Sequence, residues 1–303
     1  MELKLTILGC GSAAPSLLRA NSAQILEIAG KVILIDCGEG TQWQLLKRKI
    51  SAFKIDLIFI SHLHGDHYLG LPGLLNTLVL FGREKPLKIF GPKGIKQILN
   101  CHSINGEMNS GFELLIIEIE VHQTSKIFEQ DELSIKAIPL EHRIACYGYH
   151  FELNHITLKL NKERCDEVGL GISAIKRFKV GLDFEDKGQR YLHTEFTITH
   201  QLKQSYSYIT DTLFLPQIAP FITDTNILYH ESTYLNNLLD KAVKTFHSTA
   251  LQAAEMAKHC HAGLLILGHF SSRYENTTPM LEEALALFPN SELAEDGKVF
   301  TLK

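Results

Sequence analysis

The segment Ile55-Asp56-Leu57-Ile58-Phe59-Ile60 runs directly into Ser61-His62-Leu63-His64-Gly65-Asp66-His67. The first part is too apolar to alternate, so it reads as a strand buried on both faces. Such strands belong to sheets covered by helices. The second part places four imidazole or carboxylate groups on one tight, glycine-containing loop at the strand's end. Imidazole nitrogen and carboxylate oxygen together suit zinc and its borderline neighbours, manganese and iron. A chain built around this junction is expected to form a layered α/β domain with a metal site at its strand ends. A polar surface turn is the plainer reading of a single histidine in a loop. It does not account for H-x-H-x-D-H placed after an apolar strand.

Short β-rich runs alternate with amphipathic stretches elsewhere. Residues 3–8, 24–28, 31–35, 87–90, 114–121 and 133–140 read as strands, and 148–153 is expected to pair with the last of these. Strand signals resume at 206–209, 227–229 and 264–267. Helices are expected over 41–49, near 95–101, and over 249–259, where Ser248 or Thr249 supplies the N-cap. From 154 to 204 the sequence turns polar and glycine-containing, with a basic stretch Ile175-Lys176-Arg177-Phe178-Lys179. This reads as an inserted arm within one domain spanning 1–303.

Three further metal-capable residues each follow a strand signal. His142 comes after 133–140, Asp211 after 206–209, and His269 after 264–267. Residues leaving adjacent strand ends cluster in space, and binding sites form there.

Composition narrows the setting. An apolar share of 45% and a charged share of 21% are those of a soluble globular protein. No run approaches the roughly 18–20 apolar residues a membrane span needs, and the apolar start of the chain is too short for a signal peptide. The six cysteines are scattered with no C-x-x-C pair, which fits reduced thiols and a cytoplasmic location. A net charge of −4 means that any nucleic-acid contact needs a local basic patch.

H-x-H-x-D-H followed by separated His, Asp and His resembles the metal signature of the metallo-β-lactamase superfamily, and the resemblance spans nearly the whole chain. It implies an αββα four-layer sandwich of two mixed sheets with a small inserted arm and the site at one rim. It also implies two Zn2+ per subunit, with Mn2+ or Fe as alternatives. His62, His64 and His142 would hold one metal and Asp66, His67 and His269 the other, with Asp211 bridging.

Three more segments are similar to those of the ribonuclease Z family. Asp36-Cys37-Gly38-Glu39-Gly40-Thr41-Gln42 matches its D-C-G-E-G-T-Q segment, where Asp36 would support the metal loop. His230-Glu231-Ser232-Thr233 resembles its H-E-A-T segment with serine for alanine, and Phe246-His247-Ser248-Thr249-Ala250 resembles its H-S-T loop. The resemblance implies an endoribonuclease that removes the 3′ trailer of precursor tRNA, leaving a 3′-hydroxyl on the tRNA and a 5′-phosphate on the trailer. In that scheme His247 protonates the leaving group, Glu231 orients it, and His230 has a supporting place. Asp66 is a ligand and an alternative proton acceptor for the attacking water. Lys176, Arg177 and Lys179 on the arm would grip tRNA phosphates. A homodimer is implied, in which the arm of one subunit holds tRNA cut by the other, with no membrane association and no specificity for DNA.

Two departures bear on substrate detail. The family's P-x-K-x-R-N loop corresponds to Pro15-Ser16-Leu17-Leu18-Arg19-Ala20-Asn21. Pro15 and Arg19, which by the resemblance would contact RNA, are kept, Leu17 replaces the lysine, and the asparagine is shifted by one. Gly171-Ile172 stands where the arm usually has glycine-proline. Two competing readings share the fold. One is a hydrolase of small phosphodiesters or thioesters, since such sites support many reactions. The other is a non-catalytic binding protein, which would have lost a ligand or the acid; this sequence keeps them all.

Overall fold

The computed structural model describes residues 2–14, 16–101 and 111–302, so Pro15 and His102 lie outside it. Its strands are β1 (Leu3–Gly9), β2 (Ala23–Ile28), β3 (Lys31–Cys37), β4 (Leu57–Phe59), β5 (Leu87–Pro92), β6 (Leu114–Ile119), β7 (Ser125–Gln130) and β8 (Leu133–Leu140). They continue as β9 (Cys146–Leu160), β10 (Phe184–Asp186), β11 (Gln189–Tyr191), β12 (Thr197–Ile209), β13 (Ile227–Glu231), β14 (Leu264–Gly268), β15 (Ser291–Leu293) and β16 (Val299–Leu302).

Two seven-stranded sheets result, in the orders β16-β1-β2-β3-β4-β5-β6 and β15-β14-β13-β12-β9-β8-β7. Both are mixed. The first is antiparallel from β16 through β3 and parallel from β3 to β6. In the second, β12 to β15 are parallel, whereas β7 and β8 pair antiparallel. Between the sheets lies an aromatic layer. Phe59 stacks on Phe90 at 4.7 Å and meets Tyr149 edge-on at 5.1 Å, geometries favoured by the ring quadrupole. The Tyr149 hydroxyl donates to the Ile60 carbonyl at 2.7 Å, and the Tyr206 hydroxyl bonds Gln24, tying sheet to sheet.

Helices cover both outer faces. Leu45 and the row Leu71, Leu74, Leu75 and Leu78 pack with Ile25, Leu34, Ile58 and Ile89 outside the first sheet. Outside the second, the helix Ala250–His259 opens on a capping box between Thr249 and Gln252. It lays Ala250, Ala253, Ala254 and Ala257 against β13 and β14. The order helix, sheet, sheet, helix is the αββα sandwich.

Local boundaries differ from the sequence expectation. The helix expected over 41–49 ends at Lys47, because Lys49 turns to a φ of 56°. The strand expected over 55–60 contracts to Leu57–Phe59, since the Asp56 carboxylate accepts from Val32 N–H and Ser61 N–H turns to Asp36.

The chain divides into two compact units, Met1–Glu152 with Ser205–Lys303, and Leu153–Gln204. The smaller has a core of its own, Cys165, Ala174, Phe178 and Phe196, with Phe178 stacked on Phe196 at 5.0 Å. Around it stand the helices Lys162–Val168 and Ile172–Lys179 and the β10–β11 hairpin. The polar, glycine-containing sequence of this stretch does not reveal that core.

Candidate metal centre

The parallel strands deliver the site. In the second sheet Ile209 of β12 lies level with His230 of β13, which lies level with Leu267 of β14. Asp211, Glu231 and His269 therefore leave neighbouring strands at one edge. In the first sheet β3 ends at Asp36-Cys37, and β4, parallel to it, leads into the 61–67 loop. Asp36, Asp211 and His269 adopt left-handed backbone angles, with φ of 54°, 36° and 57°. Asp and His tolerate this region better than most residues, and such strain gathers at functional sites.

Asp36, fully buried, pins the 61–67 loop. Its Oδ1 accepts from Ser61 N–H at 2.7 Å, and its Oδ2 accepts from the Ser61 hydroxyl at 2.9 Å, from the Tyr208 hydroxyl at 2.7 Å and from His67 Nδ1 at 2.7 Å. Gly38 is needed beside it, because a Cβ there would run into the Asp66 carbonyl and the Asn21 side chain.

Two candidate ligand groups lie side by side, His62, His64 and His142 with Asp211, and Asp66 and His67 with His269, and a third set, Asp211, His247 and His269, overlaps both. In the first, His64 Nδ1 lies 3.0 Å from His62 Nε2 and 3.2 Å from His142 Nε2, while Asp211 Oδ2 lies 3.6 Å and 3.9 Å from the same two Nε2 atoms. In the second, His67 Nε2 lies 3.3 Å from His269 Nε2 and 3.4 Å from Asp66 Oδ2. Asp211 Oδ1 stands 3.4 Å from His67 and 3.1 Å from His269, so its two oxygens face the two groups.

The residues fit a divalent metal. Four of the five histidines have their other ring nitrogen held by oxygen: His62 Nδ1 by Ser61 Oγ at 3.0 Å, His67 by Asp36, His142 by the Phe246 carbonyl at 3.0 Å, and His269 by Thr233 Oγ1 at 3.0 Å. Such partners fix the proton on Nδ1 and leave the Nε2 lone pair facing inward, as in metal sites generally. Lone pairs converging at these distances repel unless a cation lies among them. Donors about 2.0–2.1 Å from a tetrahedral zinc stand roughly 3.3 Å apart, close to the separations here. Burial would raise the Asp66 and Asp211 carboxyls, but His67 and His269 beside them hold both well below the usual range. Burial and the neighbouring His67 push His62 down.

Beside these groups sits a carboxylate–imidazole pair. His247 Nδ1 lies 2.9 Å from Glu231 Oε1, whose carboxylate also accepts from Thr212 N–H at 2.8 Å and from the Thr233 hydroxyl at 2.6 Å. Burial alone would lower the His247 pKa, but the Glu231 carboxylate outweighs it and raises the ring to about 9. His247 follows the helix Leu239–Thr245, which ends in a left-handed Phe246 whose carbonyl receives His142. His64, Asp66, His142, Asp211, His247 and His269 all line one cleft of about 550 Å³, a size suited to a nucleotide-scale ligand.

The other expected residues lie outside this cluster. His230 is fully buried on β13, with Nδ1 bonded to the Glu231 carbonyl at 2.7 Å. Arg19 donates to the Tyr274 and Glu275 carbonyls at 2.8 and 3.0 Å. Lys176, Arg177 and Lys179 occupy the last turn of their helix, where positive charge is favourable, and Arg177 Nε donates to the Asp183 carbonyl. Sequence reasoning had not singled out Thr233, Ser61 or Tyr208. Only Thr233 carried a signal, as the last residue of H-E-S-T.

A family model described as Anti-Pycsar protein Apyc1 matches residues 3–163, the part with the first metal loop and without Asp211, His247 or His269. A protein named ribonuclease Z from Cytophaga hutchinsonii is 42% identical, the match covering 99% of this chain and 96% of that one. The crystal structure of the short form of human tRNase Z superposes with a TM-score of 0.71 at 27% identity, over 98% of both chains. The metallo-β-lactamase fold protein YhfI from Bacillus subtilis gives the same TM-score at 18% identity, over 100% of both chains, and so speaks to the fold. With this full-length similarity, an αββα sandwich and a His/Asp cluster able to hold a divalent metal, the chain belongs to the ribonuclease Z family of metal-dependent endoribonucleases.

Proposed function

We propose that this protein is a zinc-dependent endoribonuclease that removes the 3′ trailer from precursor tRNA, leaving a 3′-hydroxyl on the tRNA and a 5′-phosphate on the trailer. The observation that carries the reading is the Glu231–His247 pair at 2.9 Å, placed with Asp211 and His269 at the rim of the ligand cluster. A nuclease producing a 3′-hydroxyl must protonate the departing 3′ oxygen, and a carboxylate-held imidazolium does this at neutral pH.

His62, His64, His142 and Asp211 would hold one Zn2+, and Asp66, His67, His269 and Asp211 the second; the imidazole and carboxylate donors suit zinc, with Mn2+ and Fe close behind. Bound in such a pair, divalent cations neutralise phosphoryl charge and make water a better nucleophile. His247 holds a proton in the cleft while Glu231 fixes its ring through Nδ1. As the P–O3′ bond breaks, the proton passes from His247 to O3′. Asp66 orients the attacking water and is placed to take up its proton, and His230 supports Glu231 from behind.

The unit Leu153–Gln204 serves as an arm for tRNA, with Lys176, Arg177 and Lys179 meeting phosphates and Arg19 contacting the RNA near the cleft. A homodimer, with one subunit's arm holding the tRNA cut by its partner, is supported by an apolar surface. Trp43 and Leu46 on the helix Thr41–Lys47, and Leu80 and Phe81 at the C-terminal end of the helix Gly70–Leu80, are 69%, 67%, 78% and 68% exposed, and the Thr77–Gln42 hydrogen bond ties the two helices. Large exposed apolar side chains of this kind mark interaction sites. A cytoplasmic setting fits six unpaired cysteines.

The test is end-group analysis of the products from a 3′-extended tRNA. A 3′-hydroxyl tRNA and a 5′-phosphate trailer support the reading, whereas a 2′,3′-cyclic phosphate on the tRNA contradicts it.

A further inference from the structure

We propose that Thr233 is a positioning residue acting on both halves of the site at once: its single hydroxyl sets the proton of the ligand His269 and the orientation of Glu231 toward His247. This deepens the nuclease reading and rests on it for the second half alone.

A threonine hydroxyl has one proton to donate and two lone pairs to accept with. Thr233 Oγ1 lies 2.6 Å from Glu231 Oε2, 3.0 Å from His269 Nδ1, 3.1 Å from the His269 carbonyl and 3.4 Å from His247 Nδ1. The shortest contact is to a carboxylate, the strongest acceptor of the four, so the proton goes to Glu231. The hydroxyl must then accept from His269, which forces the His269 proton onto Nδ1. That leaves the Nε2 lone pair facing Asp211 Oδ1 at 3.1 Å and His67 Nε2 at 3.3 Å, where a metal ligand needs it.

The same bond holds Glu231. Its Oε2 is fixed by the Thr233 hydroxyl and by Thr233 N–H at 3.3 Å, which leaves Oε1 for Thr212 N–H and His247 Nδ1. Thr233 is 2% exposed and Glu231 and His269 are 0% and 1%, so water does not replace the hydroxyl. The Ser232 N–H bond to the Gly268 carbonyl at 2.8 Å clamps the two loops in register, keeping the hydroxyl within reach of both partners.

Valine is nearly the shape of threonine and lacks the hydroxyl. The experiment compares wild type, Thr233→Val and Thr233→Ser in zinc affinity, by competition with a chromophoric chelator, and in kcat and KM on a 3′-extended tRNA at saturating zinc. Thr233→Val is expected to bind zinc roughly 10- to 100-fold more weakly, the usual cost of removing a ligand's outer partner. Its kcat should fall at least about tenfold with KM little changed, as for an interaction made in the transition state. Thr233→Ser restores both. Should valine prevent folding, Thr233→Ala carries the same comparison. Wild-type zinc affinity or wild-type kcat in the hydroxyl-free variant overturns the dual role, as does a serine variant as impaired as valine. If wild type itself leaves tRNA uncut, the nuclease reading falls, and the zinc comparison still decides the His269 half.

Discussion

Asp36 Oδ2 and His67 Nδ1 lie 2.7 Å apart with both side chains fully buried. This carboxylate also takes the Ser61 and Tyr208 hydroxyls, so one group orients a candidate ligand, the loop that bears three others, and the facing sheet. Asp36→Asn keeps the shape but forces an amide among donors. Zinc affinity should fall by about 10- to 100-fold, and the protein should lose roughly 1–3 kcal/mol of stability from a donor left unpaired. Chelator competition and chemical denaturation read the two effects. Unchanged zinc affinity would remove Asp36 from the site.

His247→Ala takes away the proposed acid while sparing every ligand. Turnover should drop by roughly 10²- to 10⁴-fold, with zinc affinity within a few-fold of wild type. A comparable loss of zinc would make His247 a ligand instead.

Acidity supplies a separate check. Burial would lower the His247 pKa, but Glu231 raises it to about 9, so the ring is a charged donor at neutral pH. Turnover should fall as pH rises through about 9, and Glu231→Gln should shift that limb to lower pH. Stability follows the same sign: a raised folded-state pKa contributes fully below about 6.5, the unfolded value, and is lost as pH climbs through about 9. A limb that stays in place in Glu231→Gln would exclude the pair as its origin.

Metal should stabilise the fold. The converging lone pairs and carboxylates of the two ligand groups are relieved by a cation, and a ligand at 100 times its Kd adds about 2.7 kcal/mol. Added zinc should raise the melting temperature by several degrees in wild type, and less in Asp211→Ala, which lacks the shared carboxylate. Identical melting curves with and without zinc would contradict the assigned ligands.

On the arm, replacing Lys176, Arg177 and Lys179 together by alanine should raise KM for tRNA without altering kcat on a small phosphodiester. The slope of log affinity against log salt should flatten by roughly 2–3, for about three phosphate contacts. An unaffected tRNA KM would leave the three as a solvated helix end.

The candidate ligands could be picked out because H-x-H-x-D-H is local and the other three candidates each follow an apolar strand, a signal that survives without knowing which strands pair. What depends on pairing was not legible. Thr233 meets His269 only because β13 and β14 lie side by side, and Tyr208 reaches Asp36 only across the sandwich. Likewise β16, at the end of the chain, completes the first sheet against β1, a contact that no window of sequence contains. The small unit's core was hidden because Phe178 and Phe196 lie far apart in a polar stretch and meet only when folded.

Glu231–His247 and the paired candidate ligand groups are proposed to form one centre for cutting tRNA. The most direct test is kcat/KM for a 3′-extended precursor tRNA beside that for a small phosphodiester, with zinc, with chelator, and in His247→Ala. Strong preference for the tRNA, a single cut beyond the discriminator base, loss on chelation, and a large loss in the variant are expected. An intact tRNA beside rapid hydrolysis of the small diester would contradict that assignment.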